Sequence, residues 1–527
     1  STRKPVNEQL ENVSLKVKFK SSARAFTESP HLPAGEFFIE DLYARMKNYP
    51  HTLHDFHADV FVDEQDFRIV DFTGVIDKSD FHFSGKLKRY DLWFAEEMQG
   101  DTQITFDLTS NLLQLQDIFS YGGENFVPQD YRHEEFREVK VKGHADLHFK
   151  KTLQSSDFYL DNLEGKMKIH PLKLEKFKGH VHWGDDHLVV NQLSGTMGES
   201  SFTAKLNYYL GSDSSLQKRD NYFSFEAPRL NFDELFNYTP PPTSGKIDHE
   251  AGFNIYTLPF TNMKFDVTIG SLNYHRFQID QFHASVRSTP RHYLFVDTLS
   301  MKAAGGQINL KGYFNGSDPS RIYFSPVMQV QNVDLDKLLI KFDNFGQDHL
   351  VSENLHGQIS GNITGKVRMH PDLVPILDDS ELHLDVKVTD GRLEHYSALE
   401  ALSDYFGDKN LKKVLFDTLR NQIDLSGGNM TIPAMTINSS LGFIEVEGQQ
   451  NMNTQMMEYY VRVPWKLVTQ AGAQKLFGKK SEEVDPDQVD AIEYRNTEKN
   501  VRFLHVKISG STSDFKISLG KNRKKKP

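Results

Sequence analysis

Histidines two residues apart are the first candidates for chemistry in this chain. His180-Val-His182 would place both imidazoles on one face of a strand, as a metal pair requires. His144 and His148 form a second pair at helical or strand spacing. A zinc centre needs three or four protein ligands, and the sequence offers neither a third ligand near these pairs nor a single cysteine. They read as surface histidines. The segment HEEFR from His133 lacks the second histidine of a zinc-protease helix. Gly478-Lys479 resembles the end of a phosphate loop, but Ala473 stands where glycine is required and Lys480 where serine or threonine is required. There is no Gly-x-Ser-x-Gly elbow and no Gly-x-Gly-x-x-Gly turn. The adjacent carboxylates Asp185-Asp186 and Asp378-Asp379 lie in turn-like segments and read as solvated loops, not as an acid/base pair. The expectation is a non-enzymatic protein with no catalytic residues, no metal and no cofactor.

Composition narrows the classes further. The 527 residues are 38% hydrophobic and include 39 Phe, so a large apolar surface is available. The net charge of -11 argues against nucleic-acid binding, since nothing would neutralise phosphates over a broad face. Only Lys521–Lys526 is strongly basic, which fits either a solvated terminus or contact with an anionic membrane. No run approaches the roughly 18 apolar residues of a membrane-spanning helix. The absence of cysteine suits an oxidising compartment such as a bacterial periplasm.

What remains is a repeat. From Ile432, an apolar residue follows three positions later at Met435, then at Ile444, Val446 and finally Gly448. The same spacing recurs from Ile69 (Phe72, Phe81, Phe83, Gly85), from Val190 (Leu193, Phe202, Ala204, Leu206) and from Val296 (Leu299, Ile308, Leu310, Gly312). The copies align without a gap and start 121, 106 and 136 residues apart. A second landmark keeps the same order: LQDIF ending at Ile118-Phe119, FDELF at Leu235-Phe236 and LDKLL at Leu338-Leu339 mark seams between repeats. Most of the rest, including MKFDVTIGSLNY and LHLDVKVTDGRLEHY, alternates apolar with polar and is expected to turn at Gly, Asp or Asn, as in an antiparallel meander. At some 25 residues per strand pair the chain would form about 40 strands, spaced about 4.8 Å apart.

The long last spacing is explained by YSALEALSDYFGDKNLKKVLFDTLRNQ. Its capping box at Ser397 and Glu400, and apolar spacing through Leu402 and Phe406, predict one helix. Leu411, Val414, Leu415 and Leu419 predict a second. Together they form a helical insertion near 397–420, expected to cap one end of the sheet. The segment VPWKLVTQAGAQKLFGKK carries Trp465, Leu467, Val468, Ala471, Leu476 and Phe477. It reads either as an amphipathic helix at a membrane interface or as a cap on the sheet end.

From Thr389 to Gly448, the stretches TDGRLEHYSALEALSDYF, LKKVLFDTLRNQ and IDLSGGNMTIPAMTINSSLGFIEVEG resemble the C-terminal region of the AsmA-like family, as do the terminal strands FLHVKISGSTSDFKISLG. The likeness is strongest over about the last 150 residues. AsmA-like proteins belong to the Gram-negative cell envelope. The resemblance implies a repeating β-groove with an apolar interior that transfers phospholipid or another envelope lipid between the inner and outer membranes. It also implies an inner-membrane anchor helix, which this sequence does not contain, and no cofactor or catalytic residue to carry over.

The expected fold is therefore mostly β: an elongated, curled, mostly antiparallel sheet with a few short helices. Four groove repeats are expected within one continuous unit, at 1–135, 136–245, 246–350 and 351–527. The candidate lining is Phe81, Phe83, Phe202, Ala204, Leu206, Ile308, Leu310, Ile444 and Val446. Their charged neighbours Lys205, Lys311, Glu445 and Glu447 are expected to face water. Partners would be lipid, the inner and outer membranes or their proteins, and no nucleic acid. Two rival readings are a structural or assembly factor that pairs its strand edges with outer-membrane or secreted proteins, and an adhesin of ordinary filled sandwiches.

Overall fold

Strict alternation over ten or more residues can bury only one side of a strand, and the chain meets this constraint by pairing neighbouring strands in order. In the computed structural model, residues 10–28, 33–63, 65–93, 98–125, 127, 132–235, 254–257, 260–274, 276–337, 354–396, 400, 409–467, 490–496, 498–511 and 514–520 are described. They fall into two units, Ser1–Pro241 with Met263–Arg276, and Pro242–Asn262 with Phe277–Pro527.

The first unit begins with β1 (Leu10–Ser21), α1 (Ala23–Glu28), β2 (Gly35–Met46) and β3 (Thr52–Val62). It continues through β4 (Phe67–Ile76), β5 (Ser79–Lys88), β6 (Met98–Gln114) and the helical turn α2 (Leu115–Ile118). A two-residue pairing of β7 (Ser120–Tyr121) with β8 (Glu124–Asn125) precedes β9 (Glu135–Met167). Then come β10 (Lys173–Gly184), β11 (His187–Met197), β12 (Ser200–Tyr209), α3 (Ser214–Asp220), β13 (Tyr222–Asn231), α4 (Phe232–Leu235) and β14 (Met263–Tyr274). Each long strand pairs with the next. β9 is a hairpin in itself. Its first half pairs with β6 and its second with β10, and His144 of the first stacks on Tyr159 of the second at 4.5 Å.

The second unit contains β15 (Phe277–Thr289), β16 (Tyr293–Ala303), β17 (Gly306–Asn315), β18 (Ile322–Asp334), β19 (Leu355–Met369) and β20 (Pro375–Glu394). It ends with β21 (Lys413–Ser426), β22 (Asn429–Ser439), β23 (Gly442–Asn451), β24 (Met456–Pro464), β25 (Phe503–Ser511) and β26 (Phe515–Leu519). These again pair in order and antiparallel. Among the described residues no ladder joins the outermost strands of either unit. The fold is thus mostly β, an open curled sheet with few short helices.

The sheet is mostly antiparallel, as expected, and three other expectations need correction. Within that sheet β13 and β14 run parallel, with Tyr222 opposite Lys264 and Asn231 opposite Asn273. The long connection from Asn231 to Met263 permits this, since a parallel pair needs a crossover of a dozen or more residues. The second helix of the insertion does not form: Lys413–Ser426 is strand, paired with β20 and β22. Val414 and Phe416 are buried on one parity and Asn421 and Leu425 on the other, with exposed Asp417 between them. An alternation that changes parity once produces three- and four-residue spacings that imitate a helix. Residues 397–399 and 401–408, where the first helix was expected, lie outside the described residues. Gly270 and Gly391 sit within β14 and β20 and do not turn the chain. The Phe416 ring occupies the space a side chain at 391 would need, so glycine there admits a neighbour. Finally, the described residues hold 26 strands against the 40 expected for the whole chain, because many are longer than ten residues.

The apolar side chains gather in several small clusters along each sheet. Val62 in the first unit, and Ile322, Val333, Val463 and Val506 in the second, are completely buried. Each such side chain is worth about 1.5–3 kcal/mol against full exposure.

Candidate functional site

The four sequence copies are one structural device. They form the hairpins β4–β5, β11–β12, β16–β17 and β22–β23. Ile69 lies opposite Gly85 and Phe72 opposite Phe83, so three steps on one strand answer two on the other. The same slip separates Val190/Leu206 from Leu193/Ala204, Val296/Gly312 from Leu299/Leu310, and Ile432/Gly448 from Met435/Val446. Each is a β-bulge, and the three-residue spacing is its signature. The two residues inside the slip are exposed in every copy: Val70-Asp71, Asn191-Gln192, Asp297-Thr298 and Pro433-Ala434. Pro433 fits because a bulge frees a strand residue from donating to the ladder. All four hairpins close with two-residue turns, at 77–78, 198–199, 304–305 and 440–441. A bulge increases local twist and bends the strand, so each copy curls the sheet at the same point of the pattern.

The bulge keeps the candidate lining on one apolar face. Phe81 packs edge-on against Phe56 and Phe72, each at 5.4 Å, and Phe83 is the cross-strand partner of Phe72. Phe202 contacts Phe177 at 5.8 Å and stacks on Phe225 at 5.7 Å. Ala204 and Leu206 face Leu193 and Val190. In the second unit Ile308 pairs with Met301, Leu310 with Leu299, Ile444 with Ile437 and Val446 with Met435. Ile308 and Ile444 are buried, while the other seven candidates are only partly covered. The sequence missed Val60, Val62, Leu174, Val330, Val461 and Val506 of the same face, because their strands carry no recognisable copy of the repeat.

A second recurrent feature sits beside each hairpin turn. The strand after the hairpin ends in a helical turn, α2, α4, 335–337 or 465–467. Gln114 donates its backbone N–H to Ser79 Oγ (2.8 Å) just before α2, and Asn231 does the same to Ser200 Oγ (2.9 Å) before α4. Asp334 donates to the carbonyl of Ala304 (2.8 Å) ahead of 335–337. The turns seal the margin of the apolar face with leucines. Leu235 packs with Leu172 and Phe177, Leu335 with Val388 and Phe416, and Leu467 with Leu411 and Leu441. Two of the three seam segments read from the sequence thus begin in helices, α2 and α4, and the third begins at 335–337. Phe236, Leu338 and Leu339 lie outside the described residues.

The opposite face is polar, as the repeat requires. Lys205 and Lys311 are exposed and Glu447 is half-buried. Glu445 departs from expectation: only 8% of it is exposed. Its carboxylate lies between the guanidinium groups of Arg462, directly opposite on β24, and Arg495, brought over the sheet by 490–496. Both guanidiniums also lie over the Phe503 ring. A segment fifty residues away in sequence covers this charge, which local pattern cannot reveal.

The near-miss histidines and carboxylates have structural partners. His180 Nδ1 accepts from Asn191 (2.8 Å), so its Nε2 donates to Asp157 (2.7 Å); His182 Nδ1 reaches the same oxygen at 3.0 Å. Burial pushes the Asp157 carboxyl up, but the two histidine hydrogen bonds outweigh it and hold it below its ordinary value. His144 and His148 are not brought together: one meets Asp161 and the other Asp101. Among the described residues no group of acidic and histidine side chains has the arrangement to hold a metal ion. Asp185 and Asp186 are the two residues of a tight hairpin turn, both with positive φ. Glu134, from the protease-like HEEFR, is fully buried and accepts the backbone N–H groups of Lys168, Ile169 and His170 (2.8, 2.8 and 3.1 Å), as well as His170 Nδ1.

Of the candidate interface segment, Trp465 is about half-exposed and Leu467 is buried in the sheet margin. Val468, Ala471, Leu476 and Phe477 lie outside the described residues. Among the described residues no helix is long and apolar enough to cross a membrane. No family model, curated protein or solved structure matches the chain.

Proposed function

We propose that this chain is an AsmA-like, non-enzymatic carrier of phospholipid or another envelope lipid, working in the periplasm between the inner and outer membranes. The observation that supports the reading is the recurrence of one bulged hairpin, which in each unit keeps apolar side chains on one curled face and leaves many of them only partly covered. An acyl chain needs no special residue. It needs the same apolar lining repeated, at about 25 cal/mol per Å² of surface removed from water, with no group that binds too tightly to release.

Phe81, Phe83, Phe202, Leu206, Leu310 and Val446 would contact acyl chains under this reading. The polar face, with its paired histidines and lysines, would stay in water. The test is lipid extraction and native mass spectrometry of the purified chain, beside transfer of a fluorescent phospholipid between vesicles. Co-purifying lipid and transfer that falls severalfold in Phe81→Asp or Phe202→Asp, with circular dichroism unchanged, are expected. Neither bound lipid nor transfer would transfer support to the reading as a structural or assembly factor.

A further inference from the structure

The apolar face of each unit has two margins, and the leucine-bearing turns seal one of them. The other margin is closed in some places and left open in one. In the second unit it is strapped by residues 254–257 and 260–262. Ile255 donates its backbone N–H to the carbonyl of Pro371 (3.0 Å), and the Tyr256 hydroxyl donates to that of Gly316 (2.6 Å). Ser288 Oγ donates to the carbonyl of Thr261 (2.6 Å), so the strap crosses the ends of β15 to β19. Beneath it Ile255, Phe314 and Ile322 pack together and are 3%, 4% and 0% exposed. In the first unit the turn Tyr90–Trp93 covers the ends of β3 to β5 in the same way, with Tyr90 buried against Val60 and Val62.

Past that turn the cover stops. Its last residue, Trp93, reaches β9 edge-on to Phe149 at 5.5 Å and is 43% exposed. Phe158 of β9 stands opposite Val181 on the apolar face, with Trp183 two residues farther along β10. These two rings are 39% and 37% exposed. Leu210, whose N–H reaches the carbonyl of Asp186 in the adjoining turn (2.7 Å), is 49% exposed. Among the described residues no strap crosses the ends of β9 and β10.

The chemistry of this margin selects its neighbour. Half-exposed indole and phenyl rings at the edge of an apolar face suit the glycerol region of a bilayer, where the ring is buried and the indole N–H meets ester oxygens. The tips beside the patch carry Lys150 and Lys151 on β9, and Asp185 and Asp186 between β10 and β11, all exposed. Two charges of each sign give no net pull on anionic lipid and match a zwitterionic surface.

We propose that this margin rests on a zwitterionic bilayer surface and that acyl chains cross it to reach the apolar face. The crossing rests on the lipid-carrier reading; the contact does not.

The test uses the full chain carrying Trp465→Phe, so that only Trp93 and Trp183 report. On phosphatidylcholine vesicles their emission should move to shorter wavelength. Lipid brominated near the glycerol end of its acyl chains should quench it more than lipid brominated near the methyl end. Flotation of the unsubstituted chain should be the same with or without phosphatidylglycerol, and from about 50 to about 500 mM salt, because an aromatic contact is not screened. The variant Phe158→Ser/Trp183→Ser, with unchanged circular dichroism, should float at least about fivefold less, and phospholipid transfer should fall with it. Absence of quenching, or undiminished flotation of the double variant, overturns the contact. So does flotation that requires phosphatidylglycerol and vanishes in salt, or shielding of these tryptophans in a dimer without vesicles, seen by light scattering. Lost flotation with transfer unchanged overturns the crossing. Quenching in a chain that neither holds nor transfers lipid would refute the carrier reading and leave the contact standing.

Discussion

The two units use the same hairpin but line their apolar faces differently. In the first, rings touch rings: Phe56, Phe72 and Phe81 form a mutual triangle at 5.4–5.6 Å, and Phe177, Phe202 and Phe225 follow one another across strands. In the second, the largest cluster consists of Leu411, Val414, Leu441, Ile444, Met457, Val461, Val463, Leu467, Val506 and Ile508, without a buried aromatic ring. Branched aliphatic side chains interdigitate closely, and Val463 and Val506 are fully buried. Large rings at 5–6 Å leave more surface half-covered, as at Phe81, Phe83 and Phe202. The bulged hairpin therefore fixes where a side chain points, and its neighbours decide how much of it is covered: Ile444 is buried beside half-covered Val446, as Phe56 and Phe177 are beside Phe81 and Phe202.

The contrast breaks most sharply under a buried charge. Ile444→Asp should destabilise the second unit by at least about 4 kcal/mol, since an unpaired buried carboxylate has no partner there. Phe83→Asp should leave the first unit folded. Hydrogen exchange resolved by unit checks both, and equal loss of protection would erase the distinction. Deleting Ala434 removes the extra residue of a bulge and restores a two-for-two ladder with Ile432 and Met435 still on one face, so it should cost about 3 kcal/mol through the lost twist and the packing shaped to it. Deleting Asp71 should do the same in the first unit; if either deletion leaves thermal melting unchanged, the bulge is dispensable.

Polar anchoring gives a smaller effect. Glu134→Gln should destabilise the first unit by about 2 kcal/mol, as several backbone N–H groups lose a charged acceptor. Burial raises the Glu134 carboxyl, but His170 and the N–H groups of residues 168–170 outweigh it and hold it below the ordinary value of 4.5. As pH falls, the unfolded chain therefore takes up this proton first. The contribution is complete above pH 4.5 and disappears as pH drops through the lower folded value. Urea melts at pH 7 and pH 4 should show a wild-type loss that Glu134→Gln lacks. The smallest effect is expected for Phe202→Leu, about 1 kcal/mol, with aliphatic packing replacing the ring contacts to Phe177 and Phe225. If its melting falls as far as in Ile444→Asp, the aromatic face is a core like the other.

Much of this architecture was legible because the repeat is gap-free and its apolar positions obey one parity. Ile69 with Phe72, and Ile432 with Met435, displayed the bulge itself, but a three-residue step means nothing until the opposing strand shows a two-residue step. Lys413–Ser426 was misread for the related reason that a parity change within a strand imitates helical spacing. Glu445 was misjudged because Arg495 reaches it from a distant segment, and Asp157 went unnoticed because His180 and His182 meet it only across a strand pair. Only the tertiary pairing puts those charges together. The fold class needed local pattern alone, whereas the polar contacts depended on distant residues.

Consider, finally, that nearly every ladder in the first unit joins strands consecutive in the chain. Contacts between sequence neighbours cost little loop-closure entropy and form fast. Such a sheet can grow strand by strand as the polypeptide emerges, each new hairpin adding to a template already in place, with no need to wait for the whole chain. The parallel pair β13–β14 is the exception, because it must close the loop from Asn231 to Met263 before its first hydrogen bond forms. Assembly should pause there, and a refolding experiment should find β14 acquiring exchange protection after β4 to β13.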